Sequence, residues 1–202
     1  MSRVSVDGEE VNFEGEIPDD PSRIYELLMG ALSEQSRVVV KFFVDGKDAL
    51  LDEGFPSRYQ MIEAESVTHD ELTLKVVIES MNKVSETENQ FDAYVANVLS
   101  VAWSEVFKRM DELITKIQPF AELIDNLAPY VDAYDPPWGG KLKEVSEKQN
   151  ESLGHILNAF EQGNPAQLSD ELSVCFLPVF KRARKLFSED IIPYLKERVE
   201  TE

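Results

Sequence analysis

The chain has 202 residues, with 20 Lys plus Arg against 39 Asp plus Glu and a formal net charge of −19 with both histidines neutral. At 43% hydrophobic and 29% charged it has enough apolar residues for a core, which argues against a disordered acidic chain. The acidity argues against nucleic acid and anionic lipid as partners, because phosphate contacts need a basic surface.

A single cysteine, Cys175, cannot form an internal disulfide, and no Cys-x-x-Cys or Cys/His cluster points to a metal or cofactor. The first ten residues lack an apolar stretch and turn acidic. No window approaches ~20 uninterrupted apolar residues, so no membrane span is expected. These features lead to the expectation of a cytoplasmic protein.

The first third reads as strands around one helix. Val4 and Val6, then Val11 and Phe13, flank Asp7-Gly8, the signature of a tight hairpin. Asp20-Pro21 supplies an N-cap followed by proline at the first helical position, and Ile24, Leu27, Leu28 and Leu32 recur at helical spacing to about Glu34. Arg37–Val44 (RVVVKFFV) is the strongest strand pattern. Asp45-Gly46 turns it into a partner at Asp48–Leu51, and a last strand is expected at Gln60–Glu65. Alternation along the strong strand puts Val38, Val40, Phe42 and Val44 on the core face. Val39, Lys41 and Phe43 fall on the other face, either packed on the rest of the chain or exposed as a partner-binding patch.

From Thr68 the period becomes helical. Thr68-His69-Asp70-Glu71 is a capping box, followed by a stripe at Leu74, Val77, Ile78, Met81 and Val84. Ser85–Glu88 offers a second box, which leaves open a break or kink near residue 85 and with it whether the helix at 68–84 continues into the next. A long helix is expected at 88–117, with Phe91, Val95, Val98, Ala102, Val106, Met110, Leu113 and Ile117 as its stripe. Such an apolar helix makes self-association plausible. Pro119 is expected to interrupt it and Pro129 to kink its continuation. Asp135–Gly140 reads as a loop. The next helix carries Leu142, Val145, Leu153, Ile156, Leu157 and Phe160, and stops at Gly163-Asn164-Pro165. The last opens at Ser169, carries Leu172, Phe176, Val179, Phe180, Ala183, Phe187 and Ile191, and is bent at Pro178 and Pro193.

The order around RVVVKFFVDGKDAL and MIEAESVTHDEL resembles the β-grasp (ubiquitin-like) superfold joined to a bacterial helical domain. Ala159–Asn164, Leu168–Leu172 and Phe176-Leu177-Pro178 resemble the C-terminal portion of a group of uncharacterised bacterial proteins. The resemblance implies a fold and carries no activity or functional residue with it. Gly139-Gly140 lies mid-chain rather than at a free tail, so conjugation as a modifier is not expected. The fold class is therefore α+β: a small β-grasp-like mixed sheet with one helix over residues 1–67, then an all-α helical bundle over 68–202.

Little in the chain carries catalytic chemistry. Neither His69, read as a solvent-facing neighbour of the cap, nor His155, read as a boundary histidine, stands in a nucleophile or metal motif. Cys175 reads as a buried, inert thiol beside Leu172, Phe176 and Val179. Lys181, Arg182, Arg184 and Lys185 form the only dense basic run, either a solubilising face or a contact for an acidic partner. Trp138, between Pro-Pro and Gly-Gly, either plugs the end of the bundle or anchors a partner.

The function expected is a non-enzymatic protein–protein interaction module, adaptor or regulatory, of a bacterial cytoplasm, with Val39, Lys41, Phe43, Trp138, Lys181, Arg182, Arg184 and Lys185 as candidate contacts. An alternative is an enzyme or small-molecule binder with a pocket between sheet and bundle, lined by Trp103, Phe107, Tyr130 and Tyr134. A third is an acidic mimic of DNA, which would need carboxylates in rows rather than scattered through caps and helix faces.

Overall fold

Asp7 and Gly8 both take positive φ, 53° and 84°, the left-handed pair that lets a two-residue turn follow the twist of its strands. They join β1 (Arg3–Val6) to β2 (Glu9–Glu10). The computed structural model describes residues 2–13, 15–51, 54–97 and 100–201. The chain divides into two compact units, Met1–Leu72 and Thr73–Glu202.

In the first unit the Asp20 carboxylate accepts from the Ser22 N–H at 3.0 Å and opens α1 (Pro21–Ser33). β3 (Arg37–Val44) turns through Asp45-Gly46 into β4 (Lys47–Asp48), shorter than the sequence suggests. Asp45 also accepts from the Gln60 and Met61 N–H groups at 2.9 and 2.8 Å, fixing the start of β5 (Met61–Thr68). The five-stranded sheet has the order β2-β1-β5-β3-β4; β1 and β5 run parallel and the other pairs antiparallel. Its core gathers Val4, Ile24, Leu28, Leu32, Phe42, Val44, Ile62 and Ala64.

The alternation expected along β3 is corrected by a β-bulge. The register against β5 shifts between Val39 and Lys41, and a bulged residue reverses the facing of everything on one side of it. Val39, 5% exposed, therefore joins Phe42 and Val44 in the core instead of sharing a face with Lys41 and Phe43.

Asp7 does more than turn the chain. Its carboxylate accepts from the Ser66 N–H at 2.7 Å, the Ser66 hydroxyl at 2.6 Å and Arg37 at 3.2 Å, tying the hairpin to β5 and β3. Partial burial works to raise its pKa; the Ser66 hydrogen bonds and the Arg37 charge outweigh this and hold it below the usual 3.8. A depressed folded pKa gives stability present above the unfolded value and lost as pH falls through the folded one. With its side chain 40% exposed, Asp7→Asn is expected to cost the unit about 1 kcal/mol at neutral pH. Urea titrations should show the two proteins converging well below pH 3.8; a gap independent of pH contradicts this.

The capping box at Thr68 is formed: the Thr68 N–H donates to Glu71 at 2.7 Å and the Glu71 N–H to the Thr68 hydroxyl at 3.1 Å. It opens α2 (His69–Asn97), which runs unbroken through Ser85–Glu88 and so decides the continuity that the sequence leaves open. The expected helix at 88–117 is not continuous. The Ser100 N–H and hydroxyl both turn back to the Asn97 carbonyl, at 3.0 and 2.8 Å, local bonding that competes with the helical ladder. A short α3 (Trp103–Lys108) and then α4 (Met110–Tyr134) follow. Val98 and Leu99 lie outside the described residues, as do the side chains of Val84, Phe91, Phe107 and Met110. α4 continues through both Pro119 and Pro129, so neither interrupts it.

Asp135, at φ 43°, closes α4, and α5 (Gly139–Glu161) begins inside the expected loop. A Cβ at Gly139 would lie 2.8 Å from Val131 Cγ1, so the missing side chain permits this tight helical hairpin. Gly163, at φ 61°, ends the connection after α5. Asn164 then starts a helix instead of trailing one: its side chain accepts from the Gln167 N–H at 3.1 Å, with Pro165 at the first position.

From Pro165 to Thr201 the chain is helical without a gap. α6 (Pro165–Asp170), α7 (Leu177–Leu186) and α8 (Ile192–Thr201) are joined by π-helical segments at Glu171–Phe176 and Phe187–Ile191. Each π segment is followed by a proline one residue further on, Pro178 and Pro193. The wider i→i+5 ladder relieves the clash a proline ring makes in a regular helix.

Candidate functional site

α4 and α5 form an antiparallel hairpin around the core of the second unit. At its open end the packing stops short. Leu113, Ile114, Ile117 and Ala121 of α4 face Leu153, Ile156, Leu157 and Phe160 of α5 across a groove of about 250 Å³, with Gln118 the only polar residue among the described residues that line it. Ile114 is 45% exposed and Leu157 54%. Leu157, expected in the buried stripe of its helix, is thus largely open, and Ile114 lies beside the expected stripe positions Met110, Leu113 and Ile117. The available signal was the adjacent apolar pairs Leu113-Ile114 and Ile156-Leu157, which make each stripe wider than one neighbour covers.

The sheet face expected as a contact is largely charged. Lys41 pairs with Glu65 at 2.7 Å, and half-buried Phe43 stands opposite Glu63. Trp138 takes the plugging role. It is 2% exposed, stacks on Tyr130 with ring centroids 5.9 Å apart, and meets the edge of Tyr194 at 6.2 Å. Burial leaves no indole surface for a partner, so its reading as an anchor is corrected. Trp103, Tyr130 and Tyr134 also pack within the second unit's own core; the side chain of Phe107 lies outside the described residues.

The basic run divides. Arg182 makes a two-pronged bond to Glu144 of α5 at 2.9 and 3.1 Å. Hydrogen bonds from Lys148 and Arg182 hold Glu144 below the usual carboxylate range. Lys181, Arg184 and Lys185 instead line a separate pocket of about 260 Å³ with Met81, Ser188 and Glu189.

A third pocket lies between α5 and the first π segment, lined by Lys148, Glu151, Ser152, His155, Cys175 and Val179. Cys175 is exposed, correcting its expected burial. The π turn underwinds the helix, so Cys175 no longer follows Leu172 and Phe176 inward. Glu171 stands 3.4 Å from His155 Nδ1. Local desolvation, a hydrogen bond to Glu171 and the charges of Glu171, Asp170 and Glu151 push the thiol above its usual 9.0.

Only the thiolate is a nucleophile, so this acidic setting keeps the sulfur protonated at neutral pH. Iodoacetamide is expected to alkylate Cys175 more slowly at neutral pH than it does a free cysteine, and Glu171→Gln should accelerate the reaction. Equal rates for wild type, variant and free cysteine contradict the reading. Among the described residues, no group of three His, Cys, Asp or Glu side chains is placed to hold a metal ion. No helix among them is long and apolar enough to cross a membrane.

Comparison with protein-family models, curated proteins and solved structures finds no match to this chain.

Proposed function

We propose that the chain is a non-enzymatic protein–protein interaction module, adaptor or regulatory in kind, of a bacterial cytoplasm, and that the α4–α5 groove is its working surface. The groove carries the proposal: eight apolar side chains converge on it, and Ile114 and Leu157 remain about half exposed. With half of each side chain already covered, a partner that buries the rest gains about 1 kcal/mol from each. On the fold, the β-grasp reading of the first unit is supported by one helix on a mixed sheet with β1 and β5 parallel at its centre. With no continuous helix at 88–117, this groove is the apolar surface that suits self-association.

Ile114→Glu combined with Leu157→Glu tests the proposal, because both sites are exposed enough for the helices to survive the change. Helicity and Tm are expected to stay near wild type, while complex formation, read as solution mass and as partners retained, is lost. If the double variant associates as the wild type does, the groove is not the working surface.

A further inference from the structure

We infer that the partner seated on the α4–α5 groove is a helix, apolar along one half of its contact stripe and carrying Lys or Arg along the other. The inference rests on that groove being the working surface. It starts from a second crevice between the same two helices, also about 250 Å³, nearer the turn that joins them. On α4, Ile114, Ala121 and Ala128 line the two crevices at intervals of seven residues, as do Gln118, Asp125 and Asp132. On α5, Gly139, Ser146, Leu153 and Phe160 keep the same interval. A seven-residue repeat stays in one seam when helices pack at the shallow angle of a coiled coil. From Ile114 to Asp132 that seam is about 27 Å long, the reach of a partner helix of about five turns.

The two halves of the seam differ in chemistry. Toward the open end the described lining is apolar apart from Gln118. Toward the turn, Asp125 and Asp132 line the crevice with Lys143. Exposed carboxylates continue the negative sign along the rim. Gln118 donates to Glu122, four residues on, at 2.6 Å, and Glu161 follows Leu157 by four. Every Lys and Arg of the chain lies among the described residues, and Lys143 is the one of them that lines the groove. The charged side chains outside the described residues are all Asp and Glu, of the same sign as the rim.

This pattern selects against a second copy as the occupant. The apolar half alone suits self-association, but groove-to-groove docking sets Asp125 and Asp132 against their own counterparts or against the apolar half. Like charges repel in the first arrangement, and carboxylates lose water without a partner in the second. A helix with large apolar side chains at one end of its stripe and Lys or Arg at the other meets each half with its complement.

The test is fluorescence anisotropy of a labelled synthetic peptide titrated with the full chain at about 50 mM salt, where surface charge is weakly screened. The peptide is an alanine-rich helix of about five turns, with leucine at its a and d positions and arginine at the flanking positions of one half. Its twin carries glutamate in place of arginine. The arginine peptide is expected to bind saturably and the twin about tenfold or more weakly. Asp125→Asn with Asp132→Asn, both on exposed side chains, should weaken the arginine peptide about fivefold or more. Glu151→Gln with Glu189→Gln, which remove as much charge beside other pockets, should leave it unchanged. Equal binding of the two peptides, no saturable binding of either, or equal effects of the two double variants overturn the inference. So does a chain that dimerises and loses the peptide as it does, which assigns the groove to a second copy. Ile114→Glu with Leu157→Glu judges the groove separately. Association lost in that variant but indifferent to Asp125 and Asp132 keeps the working surface and overturns the basic partner.

Discussion

Trp138→Ala is expected to destabilise the second unit by about 3–5 kcal/mol, the range for removing a buried large aromatic side chain. The indole sits at the hairpin between α4 and α5, stacked on Tyr130 of α4 and edged by Tyr194 of α8. Tyr130 in turn lies 4.7 Å from Tyr134, and the Arg198 guanidinium lies 5.8 Å from the Tyr134 ring and 5.9 Å from the Tyr194 ring. Truncation therefore opens a cavity where three segments meet, and a proline-bounded turn has little freedom to collapse into it. The Nε1 of Trp138 has no hydrogen-bond partner among the described residues, and an unpaired buried donor is itself costly. Trp138→Phe keeps the stacking and removes that donor, so it should cost less than half as much. Chemical denaturation followed by far-UV circular dichroism measures both. A Trp138→Ala loss under about 1 kcal/mol would mean the side chain is not a core residue.

The second large effect belongs to the sheet. Phe42 is fully buried and makes edge contacts with Tyr25 at 5.2 Å and Phe55 at 5.6 Å. Phe42→Ala is expected to cost the first unit about 3–5 kcal/mol. Its neighbour Phe43, half-buried on the charged outer face, should cost under about 1 kcal/mol when truncated. The contrast tests the facing of β3 directly. Equal losses at the two positions would mean that the alternation beyond the bulge is wrong.

Why some of this fold was legible and some not follows from particular residues. Caps and turns were readable because their chemistry is local: Asp20-Pro21, Thr68–Glu71 and the Asp-Gly pairs each do what their backbone requires. The β3 bulge was not, because RVVVKFFV is apolar on both faces and alternation cannot reveal an extra residue. Pro119 misled, since α4 carries it through its interior as it does Pro129.

The π segments leave a trace in the sequence that a 3.6-residue period does not fit. Leu168, Leu172, Phe176, Phe180, Ala183, Phe187, Ile191 and Leu195 are all buried, at intervals that are nearly all four. In an α-helix, with ~3.6 residues per turn, such a stripe drifts around the axis. The two underwound segments hold it on one face. That same underwinding exposes Cys175.

The candidate surface was the least legible part. Ile114 and Leu157 look like core residues in sequence, and only the packing of α4 on α5 shows that nothing in the helical hairpin covers them. The basic run could be seen in the sequence, but its division between Glu144 and the pocket beside Met81 could not.

The central claim is that the α4–α5 groove is where this protein meets another. Its most direct test places a photo-crosslinking side chain at Leu157, with Val174 as the control. Val174 is 68% exposed and is not among the groove's lining residues. Irradiation in cells expressing the protein is expected to give discrete covalent adducts through position 157, abolished by Ile114→Glu, and none through position 174. Adducts absent at 157, or equal at both positions and indifferent to Ile114→Glu, would contradict the account.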